Sequence, residues 1–167
     1  KGSNYLEALA QTGCVVMDKT GTLTEGVFAV SKVHPLGFST QQLLEYAALA
    51  ESASNHPISK SLRAAYEKEF DCNRVGDIQE RSGKGIVAKI DGIMVAAGNR
   101  KLMKELGVDA AEASDFGTVV HVAVDGKYAG YIVIADRIKE NAAQAVQALR
   151  SAGVKKTVML TGDAATV

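Results

Sequence analysis

A single aspartate followed by a hydroxyl-rich turn stands directly behind a short apolar run near the start of the chain. The apolar run covers residues 14–17, and the next seven residues read Asp18-Lys19-Thr20-Gly21-Thr22-Leu23-Thr24. A carboxylate at the end of a strand, flanked by backbone amides and a glycine turn, can attack a phosphoryl group in line while Mg²⁺ spreads the developing charge. Lys19 adds a cation beside that charge. The segment therefore predicts phosphoryl transfer to Asp18.

All seven residues of this segment match the phosphorylation motif of the P-type ATPases, and the surrounding sequence resembles the haloacid dehalogenase superfamily. The resemblance implies that Asp18 accepts the γ-phosphoryl of ATP and that Lys19, Thr20 and Thr22 belong to the catalytic loop. It also implies ATP and Mg²⁺ as cofactors, with the Asp18 carboxylate and the Thr20 carbonyl as metal ligands.

Position 20 separates two activities within this superfamily. Phosphatases of the superfamily usually carry a second aspartate two residues after the nucleophile, where it acts as general acid and base. Here that position is Thr20. A site without its own acid/base group should form a longer-lived acyl phosphate, which favours an ATPase. A soluble phosphatase and a stand-alone nucleotide-binding module are the alternatives.

Two segments near the other end of the chain extend the resemblance. Thr161-Gly162-Asp163 follows a predicted strand and resembles the family's second phosphate loop, in which the Thr161 hydroxyl and the Gly162 amide would hold the transferred phosphoryl. Asp136 and Lys139 fit an Asp-x-x-Arg/Lys pair of the family, although a favourable aspartate at a helix N-terminus explains them equally well. In the family, a further lysine and an Asp-rich loop follow and complete the Mg²⁺ site. We therefore expect this chain alone to bind Mg²⁺ weakly and to be inactive.

Six residues in the middle of the chain resemble the nucleotide site of the heavy-metal branch of these pumps: Glu51, His56, Gly83, Gly85, Gly98 and Asn99. An imidazole at the start of a helix can pack on a purine or hydrogen-bond to it, while Pro57 fixes the approach of the chain. In the family, the Gly-x-Gly lets the backbone approach the nucleotide, and the Gly-Asn closes the same pocket. The agreement in order and spacing predicts nucleotide binding. His34 and His121 lack this context, and we expect structural roles for both.

The patterns of apolar residues predict the elements that would position these groups. Two amphipathic helices, over residues 40–52 and 56–70, are followed by alternating strand patterns. Asp91-Gly92 and Asp125-Gly126 join pairs of these strands and are strong hairpin signals. The middle of the chain is therefore predicted to be an antiparallel sheet with helices, whose last strand covers residues 128–134. The two ends of the chain have a strand-helix-strand pattern, in which the helix is predicted over residues 139–151.

The fold class that follows is α/β, with two domains. Residues 1–27 and 133–167 would form an incomplete phosphorylation domain that is Rossmann-like and similar to the haloacid dehalogenases. Residues 28–132 would form an inserted α+β nucleotide-binding domain built on the antiparallel sheet.

Composition and charge exclude several other classes. The chain has 167 residues, and its 19 lysines and arginines balance its 19 aspartates and glutamates, so no charge argument favours nucleic acid or an anionic membrane. No apolar run approaches the roughly 20 residues that span a bilayer. Cys14 and Cys72 are far apart and predict two reduced thiols, which is typical of the cytosol.

The resemblance also implies a context. The chain would be a soluble piece of a multi-pass membrane pump, lying on the cytoplasmic face of the membrane. Its partners would be ATP or ADP and the transmembrane and actuator domains of the same polypeptide. The run at residues 54–61 and the Gly26-Val27-Phe28 sequence are more similar to the zinc/cadmium/lead group than to the copper group.

Overall fold

The computed structural model describes residues 3–66, 68, 71–113 and 115–161. The chain divides into two compact units, Lys1–Val27 with Asp136–Val167 and Phe28–Ala135. None of the helices in the described ranges is long and apolar enough to cross a membrane.

Among its described residues, the first unit contains a parallel strand pair and two α-helices. The helices are α1 (Ser3–Ala10) and α5 (Ala142–Ser151), and the strands are β1 (Cys14–Asp18) and β8 (Lys156–Leu160). β1 and β8 run parallel, in a register that begins at Cys14 opposite Lys156 and ends at Asp18 opposite Leu160. Because the strands are parallel, their carboxyl ends lie at the same edge of the pair, where α/β proteins commonly place chemistry.

The second unit is built on an antiparallel sheet. In the part of the chain that the structure describes, the sheet has six strands in the order β2-β7-β6-β5-β4-β3. In chain order these strands are β2 (Thr24–Pro35), β3 (Val75–Arg81), β4 (Gly85–Ile90), β5 (Ile93–Gly98), β6 (Thr118–Val124) and β7 (Lys127–Ile138). β2 and β7 each begin or end in the first unit, since they pass the boundaries at residues 27 and 135.

Both predicted Asp-Gly hairpins are present. Asp91 and Asp125 have φ angles of 51° and 46°, and the glycines that follow them have φ angles of 83° and 74°. Two successive positive φ angles match the right-handed twist of the flanking strands, and glycine adopts the second one without strain. These turns fix the registers of β4 with β5 and of β6 with β7.

Helices cover the sheet on both faces. Side chains alternate between the faces along each strand, so Ile90 and Val95 belong to one buried cluster while Val87 and Ala96 belong to another. The first cluster packs against α2 (Thr40–Ala50) and α3 (Pro57–Tyr66). A third helix, α4 (Arg100–Glu105), packs against the second cluster.

The helices differ from the sequence expectation in three places. α2 begins after a Ser39 capping box with Gln42 and ends at Ala50, so Glu51 lies just beyond its last turn. α5 begins at Ala142 rather than residue 139, because β7 continues to Ile138. α4 was not predicted, since six residues carry too little periodicity. The predicted extension of α3 to residue 70 falls partly on residues outside the described ranges.

The buried face of α3 gives a test of this packing. Leu62 is fully buried against the sheet, so we expect Leu62→Ala to lower the free energy of unfolding by about 2–5 kcal/mol, through lost apolar burial and the cavity left behind. Urea unfolding followed by tyrosine fluorescence measures this, because Tyr46, Tyr66, Tyr128 and Tyr131 all lie in the second unit.

The matched control is Leu36→Ala, because Leu36 is 60% exposed. Its effect should stay within about 0.5 kcal/mol. Equal effects at the two positions would contradict the packing described here.

Candidate functional site

The end of β1 presents the predicted phosphate acceptor. Asp18 is the last residue of β1 and is exposed. Thr161 directly follows Leu160, the residue that pairs with Asp18, so the two predicted groups emerge at the same edge of the parallel pair. Gly162 and Asp163 lie outside the described residues.

The turn that follows Asp18 is held by a buried hydroxyl. Gly21 has φ +78° and Thr20 is extended, so the chain reverses sharply between them and Thr24. The Thr24 side chain is 3% exposed, and its Oγ1 accepts a hydrogen bond from the Gly21 amide at 3.1 Å. The same Oγ1 lies 2.5 Å from Asp136 Oδ2 and 3.0 Å from the Lys19 carbonyl, within reach to donate its one proton. The conformation of the turn after Asp18 therefore depends on a contact with Asp136, which lies 112 positions after Thr24 in the sequence.

Lys139 also stabilises this turn, through two hydrogen bonds. Its backbone amide donates to the Leu23 carbonyl at 3.0 Å, and its ammonium donates to the Gly21 carbonyl at 3.0 Å. Asp136 lies in β7, and α5 begins only at Ala142, so the alternative interpretation of this pair as a helix N-terminus is wrong. Asp136 and Lys139 instead shape the loop that carries Lys19, Thr20 and Thr22.

The oxygen donors at this edge suit Mg²⁺ only in part. The Asp18 carboxylate and the Thr20 carbonyl are hard oxygen ligands, which Mg²⁺ prefers. Within the described ranges there is no group of three or more His, Cys, Asp or Glu side chains that could hold a metal ion. The residues present therefore fit a Mg²⁺ ion that takes further ligands from phosphate oxygens and water.

The second unit contains a cavity of about 300 Å³. Its lining includes all six residues that the sequence proposed for nucleotide binding: Glu51, His56, Gly83, Gly85, Gly98 and Asn99. The lining also contains polar residues that the sequence reasoning missed: Ser54, Ser59, Glu80, Arg81, Lys84 and Thr118. Ser54, Ser59 and Lys84 lie within motifs, but no role of their own was predicted for them. The others, Glu80, Arg81 and Thr118, belong to no motif, and only the folded sheet brings them to the cavity.

A larger, more open hollow of about 420 Å³ borders this cavity and shares Asn99 and Val119 with it. The other residues that line it are Arg100, Glu112, Ala113 and His121. The smaller cavity is the candidate ligand site, because it contains a buried carboxyl group and an exposed imidazole together.

Glu51 is that buried carboxyl group. It caps the end of α2, is 7% exposed, and accepts a hydrogen bond from the buried Ser59 hydroxyl at 2.6 Å. Burial raises the pKa of Glu51, whereas the Ser59 hydrogen bond and the charges of His56 and Arg63 act in the opposite direction. A carboxyl group with a raised pKa in a cavity is typical of a ligand site.

His56 stands at the start of α3 with its ring oriented by the backbone. Its amide donates to Ser54 Oγ at 3.2 Å, and its Nδ1 accepts from the Ile58 amide at 3.2 Å. Since Nδ1 is an acceptor, the neutral ring carries its proton on Nε2 and can offer it to a ligand. Pro57, the first residue of α3, has no amide to leave unpaired there.

The glycines at the cavity have different roles. Gly85 and Gly98 are paired in the β4–β5 register, and an added Cβ would lie 2.2 Å from the Ala97 carbonyl at Gly85 and 2.2 Å from the Lys84 carbonyl at Gly98. Both are therefore required by the close contact of the strands. Gly83 has φ +66° in the preceding turn, and an added Cβ there meets nothing within 4 Å of the described structure. Gly83 is therefore explained by its left-handed turn conformation rather than by a close contact.

Asn99 links this turn to α4. Its Nδ2 donates to the Gly83 carbonyl at 2.8 Å, and its Oδ1 accepts from the amides of Lys101 and Leu102 at the start of α4. The backbone amide of Asn99 also donates to the Lys84 carbonyl. Asn99 therefore supports the wall of the cavity through structural hydrogen bonds.

The other two histidines have partners elsewhere. His34 stacks on Tyr131 with the ring centroids 4.5 Å apart and lies 3.5 Å from Asp115. His121 is 2% exposed, its Nδ1 lies 2.8 Å from the Tyr128 hydroxyl, and burial lowers its pKa. The described lining of the smaller cavity includes neither residue.

The raised pKa of Glu51 predicts a pH-dependent stability difference. The folded state holds the proton more tightly than the unfolded state does, so stability is lost as the pH rises from the ordinary value of 4.5 through the folded pKa. Glu51→Gln mimics the protonated form. We expect this variant to resist urea better than the wild type near pH 7, and the difference to disappear below about pH 4.

Glu140→Gln, at an exposed glutamate, is the control and should follow the wild type at every pH. A Glu51→Gln variant that is less stable than the wild type near pH 7 would show that the Ser59 hydrogen bond outweighs the cost of burial.

The chain is similar to several known proteins. The family model described as haloacid dehalogenase-like hydrolase matches residues 12–167. The chain is 53% identical over 164 residues to a cadmium, zinc and cobalt-transporting ATPase of Bacillus subtilis, covering 98% of this chain and 23% of that protein. It is 50% identical over 164 residues to a zinc-transporting ATPase of Synechocystis, with the same 98% and 23% covered.

The structure of this chain is similar to a solved structure of a zinc-transporting PIB-type ATPase in the E2.Pi state. The TM-score is 0.79 and the identity is 32%, over 99% of this chain and 28% of that one. The resemblance to heavy-metal P-type ATPases and the predicted fold class are confirmed. The chain spans about a quarter of the length of the curated relatives it matches. Because the family model covers nearly all of its residues, the chain belongs to the haloacid dehalogenase-like hydrolases.

Proposed function

We propose that this chain is the nucleotide-binding and phosphorylation portion of a cation pump that uses ATP to export heavy-metal ions. The observation that carries the proposal is the cavity of the second unit, because six residues chosen from sequence alone line it together. The two relatives described above are named for zinc, cadmium and cobalt, which supports zinc or cadmium over copper as the transported ion. The whole protein would then be a multi-pass membrane protein with this portion on the cytoplasmic side.

The two units would divide the work. Phe28–Ala135 would bind the nucleotide, and Lys1–Val27 with Asp136–Val167 would carry the acceptor. In the cavity, the His56 Nε2–H would donate a hydrogen bond to a purine. The Glu51 carboxyl group, whose pKa is raised, would form a second hydrogen bond to it. The open backbone at Gly83 leaves room for the base or ribose to approach.

The chemical step would be an in-line displacement at the γ-phosphorus of ATP. One oxygen of the Asp18 carboxylate forms the new P–O bond, the bond from phosphorus to the bridging oxygen breaks, and ADP leaves with that electron pair. Amides of the turn held by Thr24, and the Lys19 ammonium, would stabilise the charge on the phosphoryl oxygens. Mg²⁺, held by the Asp18 carboxylate and the Thr20 carbonyl, would neutralise phosphate charge.

Thr20 determines what happens after transfer. A threonine cannot serve as the general base that activates water against the aspartyl phosphate, so the intermediate should persist. A persistent intermediate suits a pump, in which other domains must respond before hydrolysis. It does not suit a phosphatase, which must turn over quickly.

The first test of this proposal concerns His56. Replacing it with alanine removes the imidazole contact, so ADP affinity should fall by about 5- to 150-fold, the loss expected for one or two hydrogen bonds. Calorimetric titration of the chain measures the affinity, and circular dichroism checks that the fold is intact. His34→Ala is the matched control and should bind like the wild type, because His34 packs on Tyr131. Equal losses of ADP affinity in His56→Ala and His34→Ala would contradict the proposed contact between His56 and the nucleotide.

The second test concerns Asp18. In the full-length polypeptide, γ-labelled ATP should give a label that survives acid quenching and is released by hydroxylamine, as an acyl phosphate is. Asp18→Asn should abolish the label, since an amide oxygen is a poor nucleophile.

The same preparation separates a pump from a phosphatase. Hydrolysis of small phosphate esters should be near background, because Thr20 supplies no acid/base group. Rapid ester hydrolysis that disappears in Asp18→Asn would instead support the phosphatase alternative.

A further inference from the structure

Arg63 makes an unusual set of contacts close to the nucleotide cavity. It lies in the last turns of α3 and is half-buried. Its Nη1 donates to three backbone carbonyls, those of Glu51 at 2.7 Å, Ser54 at 2.8 Å and Ser52 at 3.2 Å. One nitrogen with two hydrogens therefore serves three acceptors within four consecutive residues.

These carbonyls belong to the segment that leaves the end of α2, residues 51–56, which we call the 51–56 loop. Carbonyl groups in the last turn of a helix and just beyond it have no partner within the helix and need donors. A cation at this end also interacts favourably with the helix dipole. The guanidinium can reach several carbonyls at once because its donors are fixed in a plane, whereas a lysine ammonium acts as a point charge.

The 51–56 loop supplies three residues to the lining of the cavity, Glu51, Ser54 and His56. A continuous path of contacts leads from Arg63 to the imidazole. Arg63 holds the Ser54 carbonyl, the Ser54 hydroxyl accepts from the His56 amide, and the His56 ring accepts from the Ile58 amide. The described residues that line the cavity do not include Arg63 itself.

We propose that Arg63 is a positioning residue of the nucleotide site, which sets the affinity for a purine nucleotide by fixing the 51–56 loop without touching the ligand. This inference rests on the proposed nucleotide-binding function of the second unit. Without the guanidinium, the Ser52 and Ser54 carbonyls lose this donor, while the Glu51 carbonyl keeps the Ser54 amide. The loop then gains conformations in which Glu51 and His56 no longer face the cavity together. The cost appears when a ligand binds and the loop must be ordered again.

The experiment uses the complete 167-residue chain and ADP as the probe. Arg63→Met keeps the apolar stem but removes the donors, and we expect its affinity to fall by about 5- to 50-fold. Arg63→Lys keeps the charge but not the planar set of donors, and its affinity should fall by at least about threefold. Arg150→Met makes the same change at an exposed arginine of α5 and should bind within about twofold of the wild type.

A spectroscopic readout separates positioning from a purely structural role. In the wild type, Nδ1 of His56 accepts from the Ile58 amide, so its imidazole ¹⁵N shifts should report the Nε2–H tautomer. Arg63→Met should move these shifts toward the average of the two tautomers. All titrations are made well below the melting temperature of each variant, so that a global loss of stability does not itself lower the affinity.

Each outcome decides the question. If the wild type and Arg150→Met bind ADP but folded Arg63→Met binds equally well, with unchanged His56 shifts, the inference is overturned and the proposed function stands. If Arg63→Met does not fold, Arg63→Lys decides, and wild-type affinity in that variant overturns the inference. If the wild type binds no nucleotide, the proposed function fails and the inference fails with it.

Discussion

The close approach of Gly85 and Gly98 determines how the smaller cavity of the second unit is built. These residues face each other in the β4–β5 register, and neither position has room for a Cβ. Because the strands come so close there, the turn before β4 and the residue after β5 are brought together, and Asn99 can bond to the carbonyls of Gly83 and Lys84. α4 then starts from Asn99 and covers the second buried cluster. One wall of the cavity can therefore form only because Gly85 and Gly98 have no side chains.

The 51–56 loop, which also lines the cavity, depends on hydrogen bonds to its carbonyl groups, and side chains likewise hold the turn after β1 in the first unit. Arg63 holds the 51–56 loop by its carbonyls, while Thr24, Asp136 and Lys139 hold the catalytic turn after β1. In both places the backbone is irregular, so its polar groups cannot be satisfied by a helix or a sheet and need side chains instead. The supporting residues are distant in sequence, since Thr24 and Asp136 are separated by 112 positions.

This separation explains what could be predicted from the sequence. Asp18, His56 and the Asp-Gly hairpins could be proposed from the sequence because their signals are local: a motif, a helix start, a two-residue turn. The joint location of the six predicted nucleotide residues could be proposed only through a family resemblance, and the cavity now brings them together. Arg63 and Glu80 gave no signal, because a charged residue in an amphipathic helix or a strand is ordinary until its partner is known. Ser59 lies in the run at residues 54–61, but that run indicated no role of its own for it. The continuation of β7 to Ile138 was missed for a similar reason, since its pairing is tertiary.

Exposure differs between the groups that would react and the groups that hold them. Asp18 and His56 are exposed, whereas Thr24 and Ser59 are 3% and 1% exposed. A nucleophile and a base-recognising ring must be reachable by a ligand, but a hydrogen bond that fixes a loop is stronger where water does not compete. Glu51 combines both requirements, because it lines the cavity and is almost fully buried, and the raised pKa of its carboxyl group reflects that conflict. Burial of this carboxyl group costs folding free energy, which the hydrogen bond from Ser59 and the charges of His56 and Arg63 offset only in part. This is the pattern expected when a polar group is kept for a ligand.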